Sequence, residues 1–194
     1  MAATQLALPS GERKADPSVA VYGILALSVA VLVVMGTLVG AYLAIRAGTK
    51  VFPPNGVVLQ DYYSNILGGT ALIAGFGGWW ALYAVRRDER RQAVVALAMT
   101  AFMDAALINL MTYVIRSSAL SPRTDAYGVL YYAFNIAVIA ITATGMVVAL
   151  VAMFRVLGGQ VTSGEPGVGW AAAWYGTVVT LSFLIMYFFI YDLQ

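Results

Sequence analysis

The sequence predicts an all-α integral membrane protein with five transmembrane helices. Of its 194 residues, 61% are hydrophobic and only 10% are charged, a composition far more apolar than that of a soluble domain. The apolar residues form five long stretches, and roughly 20 such residues suffice for a helix to cross a bilayer. Because these stretches are continuously apolar and do not alternate, helices are favoured over a transmembrane barrel.

The predicted spans are residues 19–45, 62–85, 92–115, 126–154 and 168–191. Together they form one membrane domain, residues 19–194, which follows a solvated tail, residues 1–18, with two prolines and four charged residues. The tail differs from a cleavable signal peptide, because the apolar run after it is long and ends only at Arg46.

The basic residues indicate how the chain is oriented. If the spans alternate in direction, one side collects Arg13, Lys14, Arg86, Arg87, Arg90, Arg91 and Arg155, and the other collects Arg46, Lys50, Arg116 and Arg123. Cytoplasmic loops of membrane proteins carry the excess of lysine and arginine. We therefore predict a cytoplasmic N-terminus and an external C-terminus, with the 86–91 cluster acting as a topology determinant.

The first span ends in a group of small, aromatic and basic residues. Gly36 and Gly40 have the spacing that lets a neighbouring helix approach closely. Tyr42 suits the membrane interface, and Arg46 has the reach to bind a phosphate or carboxylate at the surface. Tyr42 and Arg46 are thus candidate lipid-binding residues, and the alternative is ordinary helix packing with Arg46 as an anchor.

The second span carries two adjacent tryptophans after a glycine-rich stretch. Glycines at positions 75, 77 and 78 beside Trp79 and Trp80 could form a flat surface for an acyl chain or a quinone ring. Tryptophans near a membrane boundary are more often anchors. Trp79 and Trp80 are therefore also candidate lipid-binding residues, and the alternative is that they only anchor the helix at the membrane boundary.

The third and fourth spans each carry a polar residue that lipid would disfavour, Asp104 and Asn135. An acidic residue in the middle of a span costs about 2.5–3.5 kcal/mol on insertion scales. One interpretation of Asp104 is a proton relay or a contact with a polar group of a partner. The other, slightly favoured here, is a neutral acid hydrogen-bonded to Asn135 or to a backbone carbonyl.

The chain contains no histidine and no cysteine. These residues normally hold haem iron, copper and catalytic zinc, and histidine is the usual proton shuttle near neutral pH. We therefore expect no metal site, no catalytic residue and no redox cofactor in this chain.

Further motifs follow along the chain. They are Phe52-Pro53-Pro54 after the first span, Asn65 at the start of the second, the basic turn 86–91, Tyr127-Gly128 with Tyr131-Tyr132 opening the fourth, and Ile190-Tyr191 closing the fifth. With Gly36, Ala41, Tyr42 and Arg46, their order and spacing resemble subunit III of the haem-copper respiratory oxidases, in the short bacterial form with five spans.

The resemblance implies a subunit III-like bundle in a bacterial inner (plasma) membrane. Such a subunit is non-catalytic: it flanks the catalytic oxidase subunit I and other oxidase subunits, which hold the haem and copper. It binds phospholipid in a cleft between its helices and supports sustained proton uptake in aerobic electron transport. The resemblance leaves open whether cytochrome c or quinol is the electron donor, and whether the complex is instead a nitric oxide reductase.

The chain departs from the family wherever the family has ionisable groups inside the membrane. Val31 stands where a glutamate is usual, Val138 and Ile141 where histidines are, and a stretch with histidine and aspartate becomes residues 175–180. These departures indicate a divergent subunit III or a paralogue reused as an accessory subunit.

Two other classes of function are compatible with five membrane spans. A small proton-coupled transporter would use Asp104 as its coupling carboxylate, but transporters usually show repeated halves and broken helices, and no repeat is visible here. A stand-alone membrane enzyme is disfavoured further, because Asp104 has no recognisable partner base, metal ligand or nucleophile.

Overall fold

The structure is a computed structural model that describes residues 17–49, 61–118, 120 and 126–192, almost all of them helical. The long helices are α1 (Pro17–Gly48), α2 (Asp61–Arg86), α3 (Arg90–Ser117), α4 (Ala126–Leu157) and α5 (Gly167–Tyr187). All five are long and apolar enough to cross a membrane. The predicted all-α membrane protein with five spans is confirmed. The Phe52-Pro53-Pro54 motif and tail residues 1–16 lie outside the described residues.

The helix ends differ modestly from the predicted spans. Most helices extend past them, by up to three residues, because polar residues beyond the hydrocarbon still continue a helix. Pro17 and Ser18, assigned to the tail, belong to α1, and a proline suits a first helical position because its φ is already helical. After α5 the chain makes a π-helical turn, Phe188–Asp192, which the sequence analysis did not predict.

Four helices form a bundle, and α1 lies outside it. α2 packs on α3, α3 on α4, α4 on α5 and α5 back on α2, whereas α1 packs mainly on α5 and less on α4. The α2–α5 approach is close: a Cβ on Gly78 would lie 3.2 Å from Ala173 Cα. No described atom lies within 4 Å of a Cβ placed on Gly36 or Gly40, so these residues of α1 do not admit a neighbouring helix of the described chain.

The start of α1, the α2–α3 turn and the α4–α5 loop lie at one end of the bundle, called here the turn end. Val21 of α1 borders the same groove as Arg86 and Gly167. The opposite end holds Arg46, Arg116 and the π-helical turn. The described chain thus starts at one side of the bundle and finishes at the other.

A pair of hydrogen bonds fastens the two connections at the turn end. The Asp88 carboxylate accepts from the backbone N–H of Ser163 at 2.8 Å and from its hydroxyl at 2.6 Å. Asp88 has a φ of 55°, in the left-handed region that aspartate and asparagine tolerate better than most residues. The two Ser163 donors stabilise the charged carboxylate, and they lower the pKa of Asp88 below its ordinary value.

We expect Asp88→Asn to remove part of the protein's sensitivity to acid. Because the pKa of Asp88 is lower in the folded than in the unfolded protein, the charged carboxylate stabilises the fold at any pH above its ordinary pKa of about 3.9. This stabilisation is lost as the pH falls through the pKa of the folded protein. Thermal unfolding in detergent between pH 7 and pH 3 measures it, and the wild type should lose more stability over this range than Asp88→Asn. Glu89→Gln is the control, since the neighbouring Glu89 makes no side-chain hydrogen bond that caps α3. Equal pH profiles for wild type and Asp88→Asn would contradict the prediction.

Candidate functional site

Four buried tyrosines bring three helix ends together opposite the turn end: Tyr42 of α1, Tyr127 and Tyr131 of α4, and Tyr191 of the π-helical turn. We call them the tyrosine cluster. The Tyr127 hydroxyl donates to the carbonyl of Ile190 at 2.9 Å. The ring of Tyr42 packs edge-to-face on Phe189, with centroids 5.4 Å apart. The cluster therefore joins the end of α1, the start of α4 and the end of α5.

Arg46 lies at the rim of this cluster. It follows Tyr42 by one helical turn, is partly exposed, and its guanidinium lies beside the Tyr42 hydroxyl. The two residues predicted to bind lipid from the first span are thus adjacent. A guanidinium at the surface next to a phenol offers charge and hydrogen bonds to an oxyanion such as a phosphate.

The structure does not bring the tryptophans to Arg46. Trp79 and Trp80 lie about two turns before Arg86, in the half of the bundle near the turn end. The Trp79 indole donates to Thr177 Oγ1 of α5 at 2.8 Å, while 44% of the residue stays exposed. Trp80 packs against a second apolar cluster that includes Val85. Trp79 therefore ties α2 to α5 and also presents its ring to the membrane.

A second site of mixed charge lies at the turn end. A groove of about 350 Å³ is bordered by Val21 of α1, Arg86 of α2, Glu165 of the loop, and Trp170 of α5, among others. Trp170 stacks on Trp174, with centroids 5.6 Å apart. The sequence analysis missed this groove, because only the packing of α1 and α2 on α5 brings its walls together.

Asp104 is buried at the middle of α3, with 3% of its surface exposed. It faces α4 where Gly145 leaves space, and a Cβ on Gly145 would lie 3.6 Å from Asp104 Oδ2 and 2.8 Å from Val179 Cγ2 of α5. No N–H or O–H group of a described residue donates to its carboxyl oxygens within hydrogen-bonding distance. A buried carboxylate without donors would be strongly disfavoured, so this environment favours the neutral acid.

Asn135 is not the partner of Asp104. Its side-chain amide donates to the carbonyl of Tyr131 at 2.8 Å, and it is fully buried next to the tyrosine cluster. Asn135 precedes Gly145 by ten residues of α4, which is about 15 Å along a helix. The predicted hydrogen bond between Asp104 and Asn135 is therefore not formed. Of the two partners predicted for a neutral Asp104, only a backbone carbonyl is left.

Three of the positions where the resemblance implies ionisable groups, residues 31, 138 and 141, are apolar. Val31, Val138 and Ile141 are all buried in the larger hydrophobic cluster of the bundle. In this chain, these positions contribute only apolar packing.

These features define a class: a five-span α-helical membrane protein with a polar, tyrosine-rich cluster at one end of its bundle. No family model matches the chain, and no curated protein is significantly similar to it.

We expect Asp104→Asn to fold with a stability within about 1 kcal/mol of the wild type, because an amide keeps the shape and is uncharged, and it can donate a hydrogen bond as a neutral acid can. Thermal unfolding in detergent measures it. Gly145→Ala is the comparison at the facing position: it should cost about 1–3 kcal/mol, since its methyl group overlaps Val179. An Asp104→Asn variant as unstable as Gly145→Ala would mean that the acid has an interaction that an amide cannot replace.

Proposed function

We propose that this chain is a non-catalytic, subunit III-like component of a respiratory haem-copper terminal oxidase. In this role it packs on catalytic subunit I, binds phospholipid and supports proton uptake during aerobic electron transport. The membrane is the plasma membrane of a bacterium, with the turn end cytoplasmic. That orientation is supported by five described arginines at the turn end, Arg86, Arg87, Arg90, Arg91 and Arg155.

One observation carries the proposal: residues of the resemblance that are far apart in sequence pack together. Tyr42, Tyr127 and Ile190 belong to three separate motifs, and all are buried in one hydrophobic cluster or at its edge. The Tyr127 hydroxyl bonds the Ile190 carbonyl, and Asn65 of a fourth motif accepts a hydrogen bond from Tyr187 at 2.9 Å. A scaffold shared with that family would bring these motifs together in this way.

The lipid-binding part of the proposal is supported by Arg46. It is a basic residue in the last turn of α1, next to a buried phenol and at the rim of an apolar cluster. A phosphate there would be paired with a charge and hydrogen-bonded at once, while its acyl chains lie on the exposed apolar surface of α1.

We expect the tagged chain, purified in mild detergent, to co-migrate with haem-bearing subunits. Size-exclusion chromatography with absorbance at haem wavelengths measures this, and an untagged strain is the control. Separation of the chain from the complex under denaturing conditions should leave iron and copper with the partner subunits. A colourless homo-oligomer would contradict the oxidase proposal and favour a transporter that uses Asp104.

We expect Arg46→Leu to lower the affinity for co-purified phospholipid by about tenfold to a hundredfold, because a lost charge-assisted hydrogen bond is worth about 1.5–3 kcal/mol. Mass spectrometry of lipids extracted from the purified protein provides the measurement. Arg116→Leu is the matched control, since Arg116 is also in the last turn of a helix at the same end. Equal lipid content in both variants and the wild type would make Arg46 a topology anchor only.

A further inference from the structure

Two buried polar atoms in and beside the tyrosine cluster make no direct hydrogen bond within the described chain. They are Tyr131 Oη and Asn135 Oδ1, and both residues are 0% exposed. The side chains of Ser118 and Tyr191 lie near Tyr131 but form no hydrogen bond with its hydroxyl. Tyr131 and Asn135 belong to consecutive turns of α4 and so lie on the same face of the helix. Each such atom would cost about 1–3 kcal/mol if it stayed unsatisfied.

The hydrogen bond of the Asn135 side-chain nitrogen fixes the orientation of the amide. Nδ2 donates to the Tyr131 carbonyl at 2.8 Å, so the remaining atom is the oxygen, which can only accept. A phenol, in contrast, both donates and accepts.

A third polar group completes the arrangement. The side chain of Tyr191, on the π-helical turn, lies against both Tyr131 and Asn135. The turn itself is held to α4 one helical turn away, where the Tyr127 hydroxyl donates to the carbonyl of Ile190. Isolated π turns inside helical proteins frequently mark functional positions. Here the turn brings one phenol to a buried amide and a second phenol.

We propose that a water molecule is bound inside the bundle between Tyr131 Oη, Asn135 Oδ1 and the Tyr191 hydroxyl. The hydrogen bonds balance: the water donates one proton to Asn135 Oδ1 and one to a phenol oxygen, and it accepts a proton from the other phenol. Three partners are what an internal water typically has. The water links α4 to the π-helical turn and thereby fixes the end of α5.

The first test is Tyr131→Phe, which deletes the hydroxyl and keeps the ring. With the water in place the variant loses a bonded partner, and its Tm should fall by roughly 2–4 °C. Without the water it loses an unsatisfied buried hydroxyl, and its Tm should rise or stay unchanged. Tyr83→Phe is the matched control, because Tyr83 is 51% exposed and its deletion removes only a solvated or lipid-facing hydroxyl.

The second test is a double-mutant cycle of Tyr131→Phe with Asn135→Leu on the full chain in detergent. The two side-chain atoms do not bond each other, so a partner that they share, the proposed water or the Tyr191 hydroxyl, is what would make the double variant less destabilised than the sum of the single ones. The lost bond to the Tyr131 carbonyl is the same in both arms of the cycle and cancels. Additive effects together with an unchanged or raised Tm for Tyr131→Phe would overturn the proposal.

A density map of the protein in lipid nanodiscs gives a direct reading. We expect an ordered water within about 3 Å of Tyr131 Oη and Asn135 Oδ1, absent from the map of Tyr131→Phe. A well-ordered wild-type map that places the Tyr191 hydroxyl directly on Asn135 Oδ1, with no water, would overturn the proposal even if Asn135→Leu does not fold.

Discussion

Every peptide group inside the hydrocarbon must find its hydrogen-bond partner within the protein, because lipid offers none. That requirement fixes the helices, and it also governs the hydroxyl side chains. Many of them donate to the carbonyl four residues earlier in their own helix and make no cross-helix bond, as do Thr37, Thr70, Thr112, Thr142 and Ser182. A hydroxyl satisfied in this way gives no information about which helix lies beside it. The few polar groups that reach across helices therefore specify the packing.

Those cross-helix groups concentrate on α5 and its π-helical turn. Trp79 bonds Thr177, Trp174 bonds Ser28, and Thr180 bonds the carbonyl of Ala71. Two further bonds join Tyr187 to Asn65 and Tyr127 to the Ile190 carbonyl, whereas the bond of Thr100 to the Ala74 carbonyl joins α3 to α2. α5 thus contacts α1, α2 and α4 through polar as well as apolar groups. It is the element that joins α1, α2 and α4 to one another, while α3 packs on α2 and α4.

Hydropathy and length were sufficient to predict the five spans, since both follow from the thickness of the bilayer. The pairing of Tyr42 with Arg46 also follows from the sequence, because their spacing of four places them on one face of a helix. The rest depends on how helices rotate and slide against each other. Asp104 was expected to be buried, but its position opposite Gly145 and far from Asn135 is set by the register of α3 on α4. The π-helical turn has no signal in the local sequence, because it depends on a distant tyrosine that holds one of its carbonyls.

The outlying position of α1 has a consequence for biogenesis. α1 is made first, yet its main packing partner, α5, begins more than a hundred residues after α1 ends. At a synthesis rate of about 5–20 residues per second, this interval is on the order of ten seconds. During that time α1 lacks its main packing partner, and its glycines at Gly36 and Gly40 face outward from the chain's own helices. Of the five described helices, the fifth to emerge is therefore the one on which α1 mainly packs.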